Sequence, residues 1–330
     1  GAVGRKRVAA VGLAVFIGAS LAVTVGSEVG WVDGLGGVQG LGGGANVVIA
    51  AAWVRDHFNG REAGRVLTSV GLVLLLAPLV APAVGAFLLH LAGWQSIFVM
   101  LAGYAVLVAL MLRFAMPSVA PQVAEEPLRH RMFAAYGRVL RQRRAMGFIL
   151  ANGLIFSAMF TFITDAAFLY IEYFGIDEAR FPLYFGANVV AMLGLNRLNV
   201  LLLRRFDSAA IMAVAVVLQS LAALTLLLLT LSGYLTLWST VPLIMVVAGM
   251  AALAIPNALA SFLAFFERDS GAATGLNGCL QFLMAGLIGS GLGLIHNGTP
   301  LPMTALMAAS AVGGMLCFFL LAREKPGLRQ

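Results

Sequence analysis

A single acidic side chain lies inside the long apolar segments of this chain. Asp165 follows the run GFILANGLIFSAMFTFIT and precedes AAFLYI, whereas the other acidic residues fall at or beyond segment ends. A carboxylate in hydrocarbon costs at least ~2.5–3.5 kcal/mol, so such a group usually faces a cavity or a charged partner. The position predicts a group that exchanges protons or binds a cation. The alternative is a solvated acid in a vestibule, because Asp165 lies in the second half of its segment.

Uncharged polar and aromatic side chains recur in the same apolar segments. The amides, Asn152 and Asn277 among them, can hydrogen-bond a ligand or join neighbouring helices at ~1 kcal/mol each. The aromatic residues near Asp165, including Phe156 and Phe160, have helical spacing and can line an apolar pocket or pack in the core. The residues that we assign to a substrate or proton pathway are Asp165, Gln39, Phe168, Tyr170, Asn188, Asn257 and Gln281.

A basic residue also falls within an apolar segment. Arg197 lies two residues before Asn199 and roughly 9 Å from the end of its predicted helix, at ~1.5 Å per residue. Snorkelling of the long side chain to the lipid headgroups explains this position. The alternative is a gating contact between two halves of the protein that opens as they move.

Other kinds of site lack the residues that they need. The four histidines, His296 among them, lie in or beside loops and show no metal-ligand spacing. Cys279 and Cys317 both fall in apolar stretches, so neither a disulfide framework nor a zinc site is indicated. The spans contain no Ser-His-Asp set and no pair of carboxylates. We therefore expect no enzyme activity, no metal and no cofactor.

These side chains are set in an unusually apolar chain. Of its 330 residues, 61% are hydrophobic and 11% are charged, whereas about 25% are charged in soluble domains. Apolar runs bounded by charges or turn residues predict an all-α polytopic membrane protein with ten transmembrane helices. The predicted spans are 8–26, 35–53, 66–89, 94–114, 146–171, 181–203, 209–231, 236–262, 271–295 and 301–322.

The basic residues indicate the topology, because Lys and Arg collect on cytoplasmic loops. With a cytoplasmic N-terminus, 19 of the 21 Lys and Arg residues fall on the cytoplasmic side; Arg180 lies outside and Arg197 lies within a span. We therefore expect a multi-pass protein of the inner (cytoplasmic) membrane with both termini in the cytoplasm. The net charge of +7 then belongs to these loops and not to a nucleic-acid-binding surface.

The longest loop divides the chain. Residues 117–145 contain EEPLRHRMFAAYGRVLRQRRA, in which apolar positions recur at helical spacing between basic residues. This pattern is typical of a helix that lies on the membrane surface. We predict an N-terminal bundle of four spans (1–116), a cytoplasmic linker with an interfacial helix (117–145) and a C-terminal bundle of six spans (146–330).

Small residues and prolines alternate in the third predicted span. Ala77, Ala81 and Gly85 recur at every fourth position, and Pro78 and Pro82 remove backbone donors. A membrane helix tolerates this because neighbouring helices satisfy the freed carbonyls. The stretch resembles the antiporter motif of the major facilitator superfamily, in the form found in the Bcr/CflA drug-resistance branch. That resemblance implies proton-coupled export, and a small-residue packing face without mechanistic meaning is the alternative.

Two further stretches resemble motifs of this superfamily. Gly4, Arg5 and Lys6 are similar to the end of the family's basic loop motif, between its second and third helices. Gln39 lies in a glycine-rich run similar to the fourth-helix motif, with Gly36 at the position of an arginine implicated there in proton coupling. The resemblance therefore implies a major facilitator fold that lacks its first two helices, with four helices before the long loop and six after it.

The resemblance implies proton-coupled efflux of drugs or small molecules by alternating access. The expected partners are a small-molecule substrate, protons and membrane lipid, and a monomer is expected to work alone. One alternative is a transport-inactive scaffold, because two helices and several charged motif residues are missing. Another is a complete ten-span carrier of the drug/metabolite type. Its usual five-plus-five repeats disagree with the four-plus-six division found here.

Overall fold

The described part of the chain is helical throughout. The computed structural model describes residues 5–26, 28–57, 66, 80–81, 83–115, 136–266 and 270–322, and these ranges contain no β-strand. The helices are α1 (Arg5–Val23), α2 (Val29–His57), α3 (Ala83–Ala92), α4 (Gln95–Ala115), α5 (Arg143–Ala167), α6 (Phe181–Leu202), α7 (Ser208–Leu231), α8 (Leu237–Leu263), α9 (Ser270–Ile295) and α10 (Leu301–Cys317). α5 and α10 continue into π-helical turns, Phe168–Tyr173 and Phe318–Ala322.

Eight helices of the described ranges are long and apolar enough to cross a membrane. They match eight of the predicted spans to within a few residues, as with Ser208–Leu231 for the span predicted at 209–231. α2 covers the second predicted span as a helix of 29 residues. Most of the third predicted span lies outside the described residues, and α3 covers its end. The all-α polytopic membrane fold is confirmed, and the total of ten spans stays a prediction.

The chain divides into two compact units, Gly1–Leu128 and Arg129–Gln330. In the first unit α1 packs against α2 and α4. α1 and α2 approach closely at Gly42, where an added Cβ would lie 2.6 Å from the backbone oxygen of Gly12. Lys6 Nζ donates to the carbonyl oxygen of Arg113 at 3.0 Å, which ties the start of α1 to the last turn of α4.

α5 lies at the centre of the second unit, against α8, α9 and α10. It packs closely on the π-helical turn that continues α10, because a Cβ at Gly147 would lie 2.6 Å from the backbone nitrogen of Ala322. Gln219 of α7 donates to the carbonyl oxygens of Ile155 and Val247, at 3.2 and 3.1 Å. This buried amide therefore joins α7 to α5 and to α8.

Local signals set several helix ends in the second unit. Pro182 and Pro302 occupy the first turns of α6 and α10, where the missing N–H leaves no hydrogen bond unmade. Gly233 follows α7 with φ +73°, a conformation that favours glycine. Thr236 and Ser239 then form a capping box at the start of α8. Within residues 117–145, the structure describes a short helical stretch at 136–141 and the start of α5 at Arg143. The predicted interfacial helix and the three-part division stay predictions.

Candidate substrate and proton site

α5 and α9 bring three amide side chains together. Asn152 Nδ2 donates to Asn277 Oδ1 at 3.2 Å and to Gln281 Oε1 at 2.8 Å. Asn152 and Asn277 are buried, and Gln281 is half-buried. The Asn152 side-chain oxygen is buried and has no hydrogen-bond partner. A buried acceptor without a partner is costly, so one acceptor of this amide group is left unsatisfied.

Aromatic rings continue this surface along the same two helices. Phe156 stacks on Phe160 with ring centroids 5.7 Å apart, and it meets Phe282 edge-on at 5.2 Å. Phe282 is 63% exposed, and α9 is the least buried of the six spans of its unit. We call this surface the amide–aromatic strip. Its members are Asn152, Asn277, Gln281, Phe156, Phe160 and Phe282.

The strip lies near the middle of its helices. Asn152 stands nine residues after Arg143, the first residue of α5, which is roughly 14 Å at ~1.5 Å per residue. Gln281 stands eleven residues after Ser270, the first residue of α9, which is roughly 17 Å by the same rise. Both distances are about half of a ~30 Å hydrocarbon layer. The amide group therefore lies at the depth where membrane carriers commonly bind their substrates.

Asp165 lies near the far end of α5 and is buried. Its Oδ1 is 4.0 Å from Nδ1 of His296, in the turn after α9, and its Oδ2 is buried without a hydrogen-bond partner. The Phe168 ring meets the imidazole edge-on with centroids 4.5 Å apart. Sequence reasoning missed His296, because nothing in the pattern links it to a residue 131 positions earlier. Within the described ranges no three His, Cys, Asp or Glu residues form a group that could hold a metal ion.

Tyr170, in the π-helical turn that continues α5, and Asn188, in α6, lie away from the strip. Tyr170 is fully buried, and its ring lies 5.7 Å from that of Tyr184 and 6.1 Å from that of Phe162. Asn188 of α6 is buried and donates to the carbonyl oxygens of Tyr184 and Phe185, at 3.3 Å each. The structure thus separates the predicted aromatic set: Phe168 faces His296, whereas Tyr170 packs toward α6. Their place in a pathway stays a prediction.

Asn257 and Asn199 form a buried contact between α8 and α6. Asn257 Nδ2 donates to Asn199 Oδ1 and to the carbonyl oxygen of Leu253, both at 2.7 Å. Arg197, two residues before Asn199, is exposed on another face of α6. The two residues of the predicted gating motif thus differ in burial, with the amide inside the unit and the guanidinium on its surface; their gating role stays a prediction.

The first unit contains the remaining predicted residues. Gln39 is half-buried and donates to Ser20 Oγ at 2.8 Å, which joins α2 to α1. Ala81 is exposed, and a Cβ added to the half-buried Gly85 would meet no atom within 4 Å. The other predicted positions of the antiporter-like and loop motifs lie outside the description, wholly or in their side chain. They are Gly4, Ala77, Pro78, Pro82 and the side chain of Arg5.

The sequence of the chain is similar to those of several bacterial drug-resistance proteins. Two relatives are 28% identical to the chain: a bicyclomycin resistance protein homologue of Haemophilus influenzae, over 96% of this chain and 80% of the relative, and a multidrug resistance protein MdtL of Klebsiella pneumoniae, over 69% and 57%. The chloramphenicol resistance protein CraA of Acinetobacter baumannii is 27% identical over 53% of this chain and 41% of its own length.

Solved structures show the same fold. A D-xylose–proton symporter superposes with a TM-score of 0.69 at 14% identity, covering 99% of this chain and 83% of its own. A bacterial homologue of the lysosomal transporter Spinster gives 0.61 at 13% identity, covering 97% and 81%. The Major Facilitator Superfamily profile matches residues 2–290. This match sets aside the alternative of a drug/metabolite-type carrier. The chain belongs to the major facilitator superfamily and is a multi-pass membrane transporter, not an enzyme.

Proposed function

We propose that the protein exports apolar small molecules, drugs among them, across the cytoplasmic membrane in exchange for protons, by alternating access. The names of three relatives support this proposal, since they refer to resistance against bicyclomycin, chloramphenicol and multiple drugs. The distribution of basic residues supports an orientation with both termini in the cytoplasm. The chain would act as a monomer in lipid.

The amide–aromatic strip is the observation that carries the proposal. A planar ligand that buries ~150 Å² of apolar surface against such rings would gain roughly 4 kcal/mol at ~25 cal/mol per Å². A hydrogen bond to the half-buried amide of Gln281 adds about 1 kcal/mol. Apolar contact therefore dominates, and it discriminates weakly among ligands of similar size. The strip favours a broad class of aromatic or planar substrates with one or two polar groups.

Asp165 is the proposed coupling group. Protonation would neutralise a carboxylate whose charge costs at least ~2.5–3.5 kcal/mol in hydrocarbon. A conformation that shuts the carboxyl away from water would therefore favour its protonated form, and an open conformation would allow ionisation. This difference can link proton binding to the conformational change that carries the drug. A solvated vestibule acid without a coupling role remains the competing interpretation.

Inside-out membrane vesicles provide the test. With an acidic lumen, we expect vesicles containing the protein to accumulate radiolabelled chloramphenicol, and nigericin should abolish the accumulation by collapsing the pH gradient. Asp165→Asn should remove the dependence on the gradient, because the amide cannot exchange a proton. The exposed surface residue Glu178 offers a control, since Glu178→Gln also removes one carboxylate.

Two results would count against the proposal in different ways. Accumulation that is unchanged in Asp165→Asn would remove the coupling role from this residue. No gradient-driven accumulation of chloramphenicol or bicyclomycin by the wild-type protein would favour the transport-inactive scaffold.

A further inference from the structure

The turn between α9 and α10 places an imidazole at the entrance to the Asp165 carboxyl. His296 is the first residue after α9, and its side chain is 37% exposed, against 11% for the side chain of Asp165. Water therefore reaches the imidazole more readily than the carboxyl. In the topology proposed above, this turn lies on the outer side of the membrane.

The contact is close to the geometry that a proton transfer requires. His296 Nδ1 and Asp165 Oδ1 are 4.0 Å apart, about 1 Å longer than an ordinary hydrogen bond. A small rotation of the exposed imidazole, or one bridging water, closes that gap. The Phe168 ring and the imidazole meet edge-on with centroids 4.5 Å apart, so the Phe168 ring limits the positions that the imidazole can take.

The ionisable groups around the Asp165 carboxyl also favour the delivery of a proton to it. The ionisable groups of the described residues whose fields act on Asp165 are His296 and Glu172, which lies on the π-helical turn that continues α5. Glu172 is exposed, and its negative charge attracts protons to this end of α5. Imidazole is the side chain that most readily gains and loses a proton near neutral pH. Among the described residues, only His296 is both a partly exposed imidazole and within 4.0 Å of the Asp165 carboxyl.

We propose that His296 relays protons between the outer water and Asp165. The neutral imidazole takes a proton from a hydronium ion of the outer solution, which becomes a water molecule, and is then an imidazolium; its Nδ1 proton passes to Oδ1 of the ionised Asp165 carboxylate. This leaves a neutral imidazole and a neutral carboxylic acid, so one proton moves and no other bond changes. The inference deepens the proposed function and rests on it for the use of the proton, since drug exchange would consume it.

Infrared difference spectroscopy tests the relay without measuring transport. In the purified protein, a jump to acidic pH should produce the carbonyl band of a protonated carboxyl, assigned to Asp165 by its absence in Asp165→Asn. We expect His296→Ala to slow the appearance of this band by about a hundredfold, at the lower end of what a positioned proton-transfer group contributes. Added imidazole should restore much of the rate.

Two variants separate the relay from a structural role. His296→Phe keeps a ring against Phe168 but carries no proton, so it should be as slow as His296→Ala. His90→Ala, in the last turn of α3 of the other unit, should leave the rate unchanged. An Asp165 band that forms at the wild-type rate in both His296 variants would overturn the relay. A slowed band in a protein that exchanges no drug for protons would uphold the relay and contradict the proposed function.

Discussion

Phe282 is the most exposed side chain of the amide–aromatic strip, and its contribution to substrate binding can be measured. We expect Phe282→Ala to raise KM for chloramphenicol about tenfold, equivalent to ~1.4 kcal/mol, because substrate loses apolar contact. The turnover number should change little, since the ring takes no part in proton exchange. Uptake kinetics in inside-out vesicles would measure both constants.

Phe206 provides the matched control. It is another exposed phenylalanine, at 55% against 63% for Phe282, and it lies between α6 and α7, away from the strip. Phe206→Ala should leave KM unchanged. Equal effects of the two substitutions would show that Phe282 acts through general stability and would remove it from the binding surface.

The buried pair of Asn257 and Asn199 leads to a prediction about stability. Asn257→Leu removes the donor to Asn199 Oδ1 and leaves that oxygen buried without its partner. The free energy of unfolding should fall by about 1–2 kcal/mol, because an unsatisfied buried acceptor is costly. Adding Asn199→Leu should cause less than the sum of the two single losses. Thermal unfolding in detergent would measure the cycle, and strictly additive losses would contradict an energetic link between the two amides.

At the scale of helices, the close packing of α5 on α10 predicts a contrast between two glycines. A Cβ at Gly147 would approach the backbone of Ala322 at 2.6 Å, whereas a Cβ at Gly194 would meet nothing within 4 Å. Gly147→Ala should destabilise the protein by about 1–3 kcal/mol, because backbone atoms cannot move aside cheaply.

Gly194→Ala should be neutral or stabilising by up to about 1 kcal/mol, because alanine favours a helix interior. Melting temperatures of the purified variants would measure the difference. A loss of stability in Gly194→Ala as large as that in Gly147→Ala would contradict the interpretation of the close helix contact.

Helices were easier to predict from the sequence than their contacts. Apolar runs between charges located α5 to α10 to within a few residues, because membrane thickness fixes the length of a span. The same periodicity placed Phe168 and Tyr170 together near Asp165. Residues two positions apart on an α-helix point about 200° from each other, and they point in different directions also in the π-helical turn that contains this pair. The structure accordingly turns Tyr170 toward α6 and Phe168 toward His296.

The parts of the candidate site that the sequence did not reveal depend on contacts between residues far apart in the chain. Asp165 was singled out because a lone acid in an apolar run is costly wherever the helix packs. Its neighbour His296 was not, because the pairing depends on how α9 lies against α5. The bonding of Asn152 to both Asn277 and Gln281 likewise depends on that contact.

At the scale of the whole molecule, the proposed substrate and proton sites occupy separate regions. The amide–aromatic strip lies about halfway along α5, and Asp165 follows Asn152 by thirteen residues, which is roughly 20 Å at ~1.5 Å per residue. Direct competition between drug and proton for one group is therefore not expected. Coupling would instead pass through the conformational equilibrium, to the extent that each ligand binds one conformation better than the other.

Proton flux driven by substrate alone tests this central claim most directly. The protein would be reconstituted in liposomes containing pyranine, with equal pH on both sides, and a chloramphenicol gradient would then be imposed. We predict that protons move opposite to the drug, that the pH change grows with the gradient, and that Asp165→Asn abolishes it while chloramphenicol still binds. Chloramphenicol flux without any pyranine response in the wild-type protein would contradict proton-coupled export.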